Sequence, residues 1–499
     1  MKPFFLLLFA LTSFSFGQVS RTNILTKTET PVTLAEVYRF QFSLKTKAKF
    51  GAIHIRTRRS DSKLLPDIPK DNPLLSNPTF SYKTFTSNNE SHGFEFVFKG
   101  TKNLPLFGLG EQYSHLLLNG KKPFVITEEQ GIGRGDGKLS FFTKMIGISG
   151  NEFTSYCPLP ILYIGNQQAV VLEESEYTEF DFTKENEIRI KVYDSNVHLL
   201  HFQAENLPSL LSQITKRYGR MSHLPDWAYG TCIGIQGGSK KVERVLDQAR
   251  KWNHPVKAVW IQDWVGRRKT RLGSQLNWQW ICDTVSYPDF REWVRKLQAE
   301  DIQVLGYVNP FLALTGPLTE EAIASQFLVK TKDGKPYQVH TGGFPAYMLD
   351  LTNPAAVSWI QNIIQQNMIE AGMAGWMADF AEWLPLDARL YNGLTGMEYH
   401  NQYAVDWAKV NREVLQKSGK QDSLLFFNRS GSLYTPQWST MMWCGDQMVY
   451  DARHDGMPSA INALITSGIS GIQLNHADIG GYAGGGNLFP KNKSSEKFL

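Results

Sequence analysis

Cysteine is scarce in this chain: Cys157, Cys232, Cys282 and Cys444 are the only four in 499 residues, widely spaced and without a C-x-x-C pair. Thiolate metal sites need ligands gathered at short spacings, so that class is excluded. One disulfide and four buried free thiols are both compatible with the spacing. No H-x-H or H-E-x-x-H pattern supplies imidazole ligands, and no metal or cofactor is expected. No G-x-S-x-G elbow presents a nucleophilic serine, and GGYAGGG near the chain end lacks the lysine and following helix of a phosphate loop. A strong charge of one sign is missing too. The 52 basic residues barely exceed the 47 acidic ones and form no stripe, which excludes a nucleic-acid partner.

The apolar run Phe4–Leu11 is too short to cross a bilayer, so no membrane partner is expected. With one lysine before it and small residues ending at Gly17, the run reads as a secretory signal peptide covering residues 1–17. The mature protein is then expected to be exported: periplasmic or extracellular in a bacterium, luminal or secreted in a eukaryote. Aromatics are plentiful, with 13 Trp and 19 Tyr. Flat rings with a polar edge suit sugar faces, and they equally suit large β-rich cores.

From residue 18 to 221, segments such as VYRFQFSLKTKAKFGAIHIRT, GFEFVFKG and NEIRIKVYD alternate apolar and polar positions between turn residues. That pattern predicts an antiparallel β-sandwich. From 222 to 482 the rhythm becomes strand, helix, strand: near-continuous apolar strands separated by amphipathic helices such as SKKVERVLDQARKW and DFREWVRKLQAED. Parallel strands covered by helices follow from this. Each strand ends in polar or aromatic residues: Gln236; Gln262, Asp263 and Trp264; Asn309; Asp379 and Glu382; Arg429; Asp446 and Gln447; His476 and Asp478. Chemistry at every strand end marks a (β/α)8-type barrel, whereas a doubly wound sheet would load one switch point. Only a polar tail, 483–499, follows Tyr482, so the barrel is expected to lack its eighth unit.

In GWMADFAEWLP, Asp379 interrupts an apolar run, and a buried carboxylate is costly unless it is paired or hydrogen-bonded. An aspartate at a strand end can simply cap a helix. It can also act in pairs. Glycoside hydrolysis with retention needs one ionised carboxylate as nucleophile and one protonated carboxyl as acid/base. Asp379 beside Arg429 suits the first role, and Asp446, reached through the apolar MMWCG, suits the second.

GWMADFAEWLP, WCGDQMVYDARHDGMPSAINALITSGISG and NHADIGGY resemble glycoside hydrolase family 31, in its sulfoquinovosidase branch. FGLGEQYSHLLLNGKKPFVITEEQGIGRG is similar to that branch's N-terminal domain. The resemblance implies a sandwich followed by a catalytic barrel, a double-displacement mechanism and exo-cleavage of small α-glycosides. It implies Asp379 as nucleophile, Asp446 as acid/base, and Asp263, Trp376, Arg429, Trp443, His476 and Asp478 lining the sugar subsite, where Glu382 is also a candidate. Gln262, Trp278 and Tyr482 match positions that recognise a sulfonate. Gln275 stands where that branch carries an arginine, with Arg267, Arg268 and Arg271 nearby in GRRKTR. Family members also continue into a last barrel strand and C-terminal β-domains, so the chain reads as C-terminally truncated. A neutral-sugar α-glucosidase or α-galactosidase is the rival enzyme reading. An inactive sugar-binding relative is the rival from another class.

Overall fold

The computed structural model describes residues 5–8, 37–44, 53–59, 80–86, 92–129, 131, 134, 150–173, 176–194, 196–270, 273–341, 344–449 and 451–482. Its first strand, β1 (Phe5–Leu8), belongs to the barrel and is taken up below. The N-terminal region is antiparallel throughout. Strands β2 (Val37–Leu44), β3 (Ile53–Arg59), β4 (Phe80–Thr86), β5 (His92–Lys99), β6 (Leu106–Gly108), β7 (Phe124–Val125), β8 (Ile161–Ile164), β9 (Gln168–Leu172), β10 (Thr178–Asp181), β11 (Glu187–Val192) and β12 (Asn196–Gln203) form two sheets. Their orders are β4-β5-β11-β10-β7 and β3-β2-β12-β9-β8-β6.

Residue alternation explains how the second sheet serves two neighbours. On β9, Val170 and Leu172 enter the sandwich core with Phe94, Phe96, Ile188 and Ile190. Ala169 and Val171 face the other way, onto Leu210, Ile214 and Tyr218 of α1 (Leu207–Tyr218) and onto Met442 of the barrel. A strand with period-two side chains presents both faces, and here both are buried. Asn206 caps α1 by accepting from the Ser209 amide.

The barrel then runs through β13 (Cys232–Gly234), α2 (Ser239–Lys251), β14 (Ala258–Trp260), the hairpin β15 (Arg267–Thr270) and β16 (Gly273–Leu276), α3 (Phe290–Ala299) and β17 (Gln303–Val308). A small sheet over its mouth comprises β18 (Phe311–Leu312), β19 (Gln338–Thr341) and β20 (Phe344–Met348), with α4 (Pro317–Ala324) between the first two. After α5 (Pro354–Ile364) come β21 (Gly375–Ala378), α6 (Gly396–Lys417), β22 (Leu425–Asn428), α7 (Thr435–Trp438), β23 (Met441–Trp443), α8 (Met457–Ile469) and β24 (Asn475–Ile479). The helices read from periodicity form as expected, with Val242, Leu246 and Ala249 buried on α2 and Phe290, Trp293, Val294 and Leu297 on α3.

Strands β13, β14, β17, β21, β22, β23 and β24 are parallel neighbours, the seven read from the sequence. Among the described residues no eighth parallel strand follows them. The ring is nonetheless closed, because β1 pairs antiparallel with both β13 and β24. Two strand edges with unpaired N–H and C=O groups accept an extended segment of either direction. The closing segment lies within the run read above as a signal peptide. All four cysteines are free thiols, three of them buried. No helix among the described residues is long and apolar enough to cross a membrane.

Candidate active site

Asp379 follows directly on β21. Its Oδ2 accepts a 2.7 Å hydrogen bond from the Tyr307 hydroxyl on β17, and its Oδ1 lies 3.4 Å from Arg429 Nε. Asn309, also at the end of β17, donates to the Tyr307 oxygen at 3.0 Å and fixes its orientation. The two residues after Asp379 are held in left-handed backbone, Phe380 at φ 60° and Ala381 at φ 83°. For residues with a Cβ this costs on the order of 1–3 kcal/mol each and is seen where a site needs it. Its effect here is to swing Glu382 back toward Arg429, whose Nη2 donates to Glu382 Oε1.

Arg429, after β22, is the centre of the site. Besides Asp379 and Glu382 it reaches Glu129 through Nη2 at 2.8 Å, and its Nη1 lies 3.7 Å from Asp446 Oδ2. The rings of Tyr156 and Phe380 lie 4.6 and 4.4 Å from its guanidinium carbon. Asp379 and Asp446 are therefore brought to one guanidinium, from the ends of β21 and β23. Gly445 lets Asp446 approach: a Cβ there would stand 2.1 Å from the Tyr156 ring, and its φ is +78°.

One cation against four carboxylates cannot leave all of them ionised. Packing of protein around Asp446 pushes its carboxyl well above the usual range, Arg429 opposes this, and Glu129, Asp379 and Asp478 add to it. The side chain still keeps 34% of its surface exposed. Burial raises Glu382 to about 8 against the pull of Arg429. Burial would lower Arg429, but Asp379, Glu129 and Glu382 outweigh it and hold the guanidinium charged.

His476 and Asp478 project from one face of β24, two residues apart. Burial lowers His476 to about 3, so it is neutral, and raises Asp478 to about 7. Trp443 pairs in register with His476, and its ring lies 6.1 Å from that of Tyr482. Among the described residues, Glu382 Oε2, Trp278 Nε1 and Gln275 Oε1 are buried without a hydrogen-bond partner. Such atoms are costly unless a polar ligand meets them.

On the opposite rim, the Tyr482 hydroxyl lies 3.5 Å from Gln262 Oε1, which also accepts from Gln236 Nε2. Arg267 Nη2 donates to Gln236 Oε1, and its Nε lies 3.8 Å from Asp263. Asp263 spends both oxygens on protein donors, the Gly237 amide at 2.7 Å and the Tyr287 hydroxyl at 2.6 Å. Across the hairpin Arg268 pairs in register with Gln275. The Arg268 guanidinium carbon lies 5.6 Å from the Trp278 ring centre, and among the described residues no carboxylate forms an ion pair with it. Trp278 stacks on Phe311 at 5.4 Å.

Trp376 does not join this group. It is fully buried on the helix side of β21, donates Nε1 to Asn411 of α6 at 2.7 Å and stacks on Phe426. The reason is parity: Trp376 and Asp379 are an odd number of residues apart, so they leave opposite faces of the strand. Conversely, Glu129, Tyr156 and Tyr307 were not singled out in the sequence. Tyr307 shares a strand with Asn309, which offered a signal. Glu129 and Tyr156 belong to the sandwich region; Glu129 lies within the quoted segment FGLGEQYSHLLLNGKKPFVITEEQGIGRG, which was the signal for it, and Tyr156 offered none. Among the described residues no cluster of His, Cys, Asp and Glu could hold a metal ion.

A sandwich followed by a barrel with a carboxylate cluster at its strand ends agrees with the comparison to known families. Residues 221–498 match the glycosyl hydrolases family 31 TIM-barrel domain, and the chain belongs to that family. It is 37% identical over 400 residues to the sulfoquinovosidase of Escherichia coli strain K12, covering 79% of this chain and 58% of that protein. It is 34% identical to the sulfoquinovosidase of Agrobacterium fabrum, covering 79% and 59%. The chain thus spans somewhat under three fifths of the length of these relatives. Among solved structures it resembles a family 31 sulfoquinovosidase from E. rectale in complex with the aza-sugar inhibitor IFGSQ, at TM-score 0.80 and 30% identity, covering 93% of this chain and 72% of that one.

Proposed function

We propose that this chain is the core of a retaining exo-α-glycosidase acting on small α-glycosides of an anionic, sulfoquinovose-like sugar. The observation that carries the reading is the convergence of Asp379 and Asp446 on one buried guanidinium. Asp379, supported by Tyr307 and Arg429, attacks the anomeric carbon as the glycosidic C–O bond breaks. Asp446 gives its proton to the departing oxygen. In the second step Asp446 takes a proton from water, the water oxygen bonds to the anomeric carbon, and the bond to Asp379 breaks. A mechanism-based α-configured fluoride or cyclitol should label Asp379, as read by mass spectrometry. No adduct under conditions that label an active relative would favour a binding protein instead.

The anionic part of the reading rests on the hairpin rim. Gln275 brings no charge where the resembling branch has arginine, an observation that favours the neutral-sugar reading. Arg268 lies across the hairpin from Gln275, close to Trp278, and no carboxylate among the described residues forms an ion pair with it. A desolvated guanidinium without a carboxylate gains from meeting an anion. Arg267 extends the same rim through Gln236. Rates on 4-nitrophenyl α-sulfoquinovoside, α-glucoside and α-galactoside decide the matter. If neutral substrates win by a wide margin, the anionic assignment falls.

Export is part of the proposal, on the composition of residues 1–17. N-terminal sequencing of secreted material should begin at Gln18; recovery of protein starting at Met1 would overturn it. Such cleavage would also withdraw β1 from the barrel and leave the edges of β13 and β24 unpaired.

A further inference from the structure

The carboxylate nearest to Arg429 apart from Glu382 comes from outside the barrel. Glu129 sits on the sandwich segment after β7, and that segment is fastened to the barrel at Thr127 and Glu129, with Glu128 held to the sandwich between them. The Thr127 amide donates to Asn401 Oδ1 at 2.7 Å, its hydroxyl donates to the Gly431 carbonyl at 3.1 Å, and its carbonyl meets His400 Nε2 at 2.8 Å. The Glu128 amide donates to the Ser155 carbonyl at 3.0 Å. Glu129 itself accepts from the Tyr156 hydroxyl at 2.5 Å, from Trp383 Nε1 at 3.3 Å and from Arg429 Nη2 at 2.8 Å. Three donors from three segments fix its carboxylate.

The consequence is a division of the guanidinium. Nη2 donates to Glu129 and Glu382, Nε forms an ion pair with Asp379 at 3.4 Å without a hydrogen bond, and Nη1 stays 3.7 Å from Asp446, beyond hydrogen-bond reach. We propose that Glu129 is a positioning residue that ties up Arg429 and so reserves the Asp446 proton for the leaving group. The inference rests on the reading of Asp446 as acid/base. Titratable and charged groups facing Asp446 are Arg429, Glu129, Asp379, Asp478, Tyr156 and Tyr482; those facing Glu129 are Arg429, Glu382, Tyr156 and Asp446. Removing the Glu129 charge takes away a like-charged neighbour and frees Arg429 to approach Asp446. Both changes favour the ionised Asp446, so its proton is lost at lower pH.

The test is the pH dependence of kcat/KM on methyl α-sulfoquinovoside, whose poor leaving group makes the acid step visible. In Glu129→Gln the alkaline limb should move down by about one pH unit. Glu129→Ala should do the same, and added formate, which restores a carboxylate, should return the limb toward the wild type. A limb in both variants that coincides with wild type, at whatever overall rate, overturns the inference; a purely structural Glu129 would lower the rate without moving it. The underlying reading is checked separately with Asp446→Ala on the 4-nitrophenyl substrate. Azide should restore turnover there with formation of a glycosyl azide. If it does, an unmoved limb sinks only the role of Glu129; if it does not, the acid/base reading fails and this inference with it.

Discussion

The two rims of the barrel mouth solve opposite electrostatic problems. Between β21 and β23 four carboxylates share Arg429, an excess of negative charge in a largely buried place. On the hairpin side Arg267 lies by Gln236 and forms an ion pair with Asp263 at 3.8 Å, while Arg268 lies by Gln275 and Trp278 with no carboxylate among the described residues paired to it. In the first rim burial raises Glu382 to about 8 and Asp446 well above its ordinary range, the direction that the proposed acid step needs. The second leaves one cation, Arg268, without a carboxylate partner among the described residues, which is what the proposed recognition of an anionic sugar needs. On the proposed reading, chemistry and selection occupy different strand ends and can be disturbed separately.

The sharpest way to break the comparison is at its negative rim. Asp379→Asn should lower kcat by at least ~10³-fold on every substrate, since the covalent step is lost whichever sugar is bound. Asp446→Asn should lower kcat/KM by roughly 10²–10⁴-fold on alkyl glycosides and less on 4-nitrophenyl glycosides, whose leaving group needs little protonation. Equal losses on both would place Asp446 outside the acid step.

At the positive rim the effect should be smaller and selective. Arg268→Gln removes a charge-assisted contact worth about 1.5–3 kcal/mol, a loss of about ten- to a hundredfold in kcat/KM on the anionic substrate. Activity on the neutral glucoside should be unchanged. A uniform loss on both sugars would mean that Arg268 shapes the hairpin and does not read charge.

Stability should follow the negative rim as well. Glu382 holds its proton to about pH 8 against an ordinary value of 4.5, and Asp478 to about 7 against 3.8. Both shifts are upward, so the folded chain binds more protons than the unfolded one between those values. The stabilisation is complete below the ordinary values and is lost as pH rises through 7 and 8. Melting temperature should therefore fall between pH 5 and pH 9, and Glu382→Gln should flatten the dependence. The smallest effect is expected at Trp376→Phe, which breaks the bond to Asn411 at about 1 kcal/mol and leaves kcat/KM within about twofold. A large kcat/KM loss would return Trp376 to the sugar subsite.

Much of this was legible in the chain. The change from period-two alternation to strand–helix rhythm gave a sandwich and then seven parallel strands, because burial on one or both faces writes itself into apolar spacing. Polar residues at strand ends marked most of the side chains that the structure brings together around Arg429 for the same reason: only a mouth tolerates them. Trp376 was misplaced because a motif match overrode strand parity that its odd separation from Asp379 already contained. Glu382 was found by position alone, and its turn toward Arg429 depends on the left-handed pair Phe380–Ala381, which no propensity announces.

The sequence by itself determined the order of the elements, the residues at the strand ends and the apolar faces, all local properties that depend on near neighbours. Only the tertiary structure decided that Glu129 and Tyr156 of the sandwich stand beside Arg429, that Arg268 lies across from Gln275, and that β1 closes the ring. These contacts join segments up to hundreds of residues apart, such as Glu129 and Arg429 with a separation of 300. Their energies depend on distance in space and on exclusion of water, and neither is encoded in spacing along the chain.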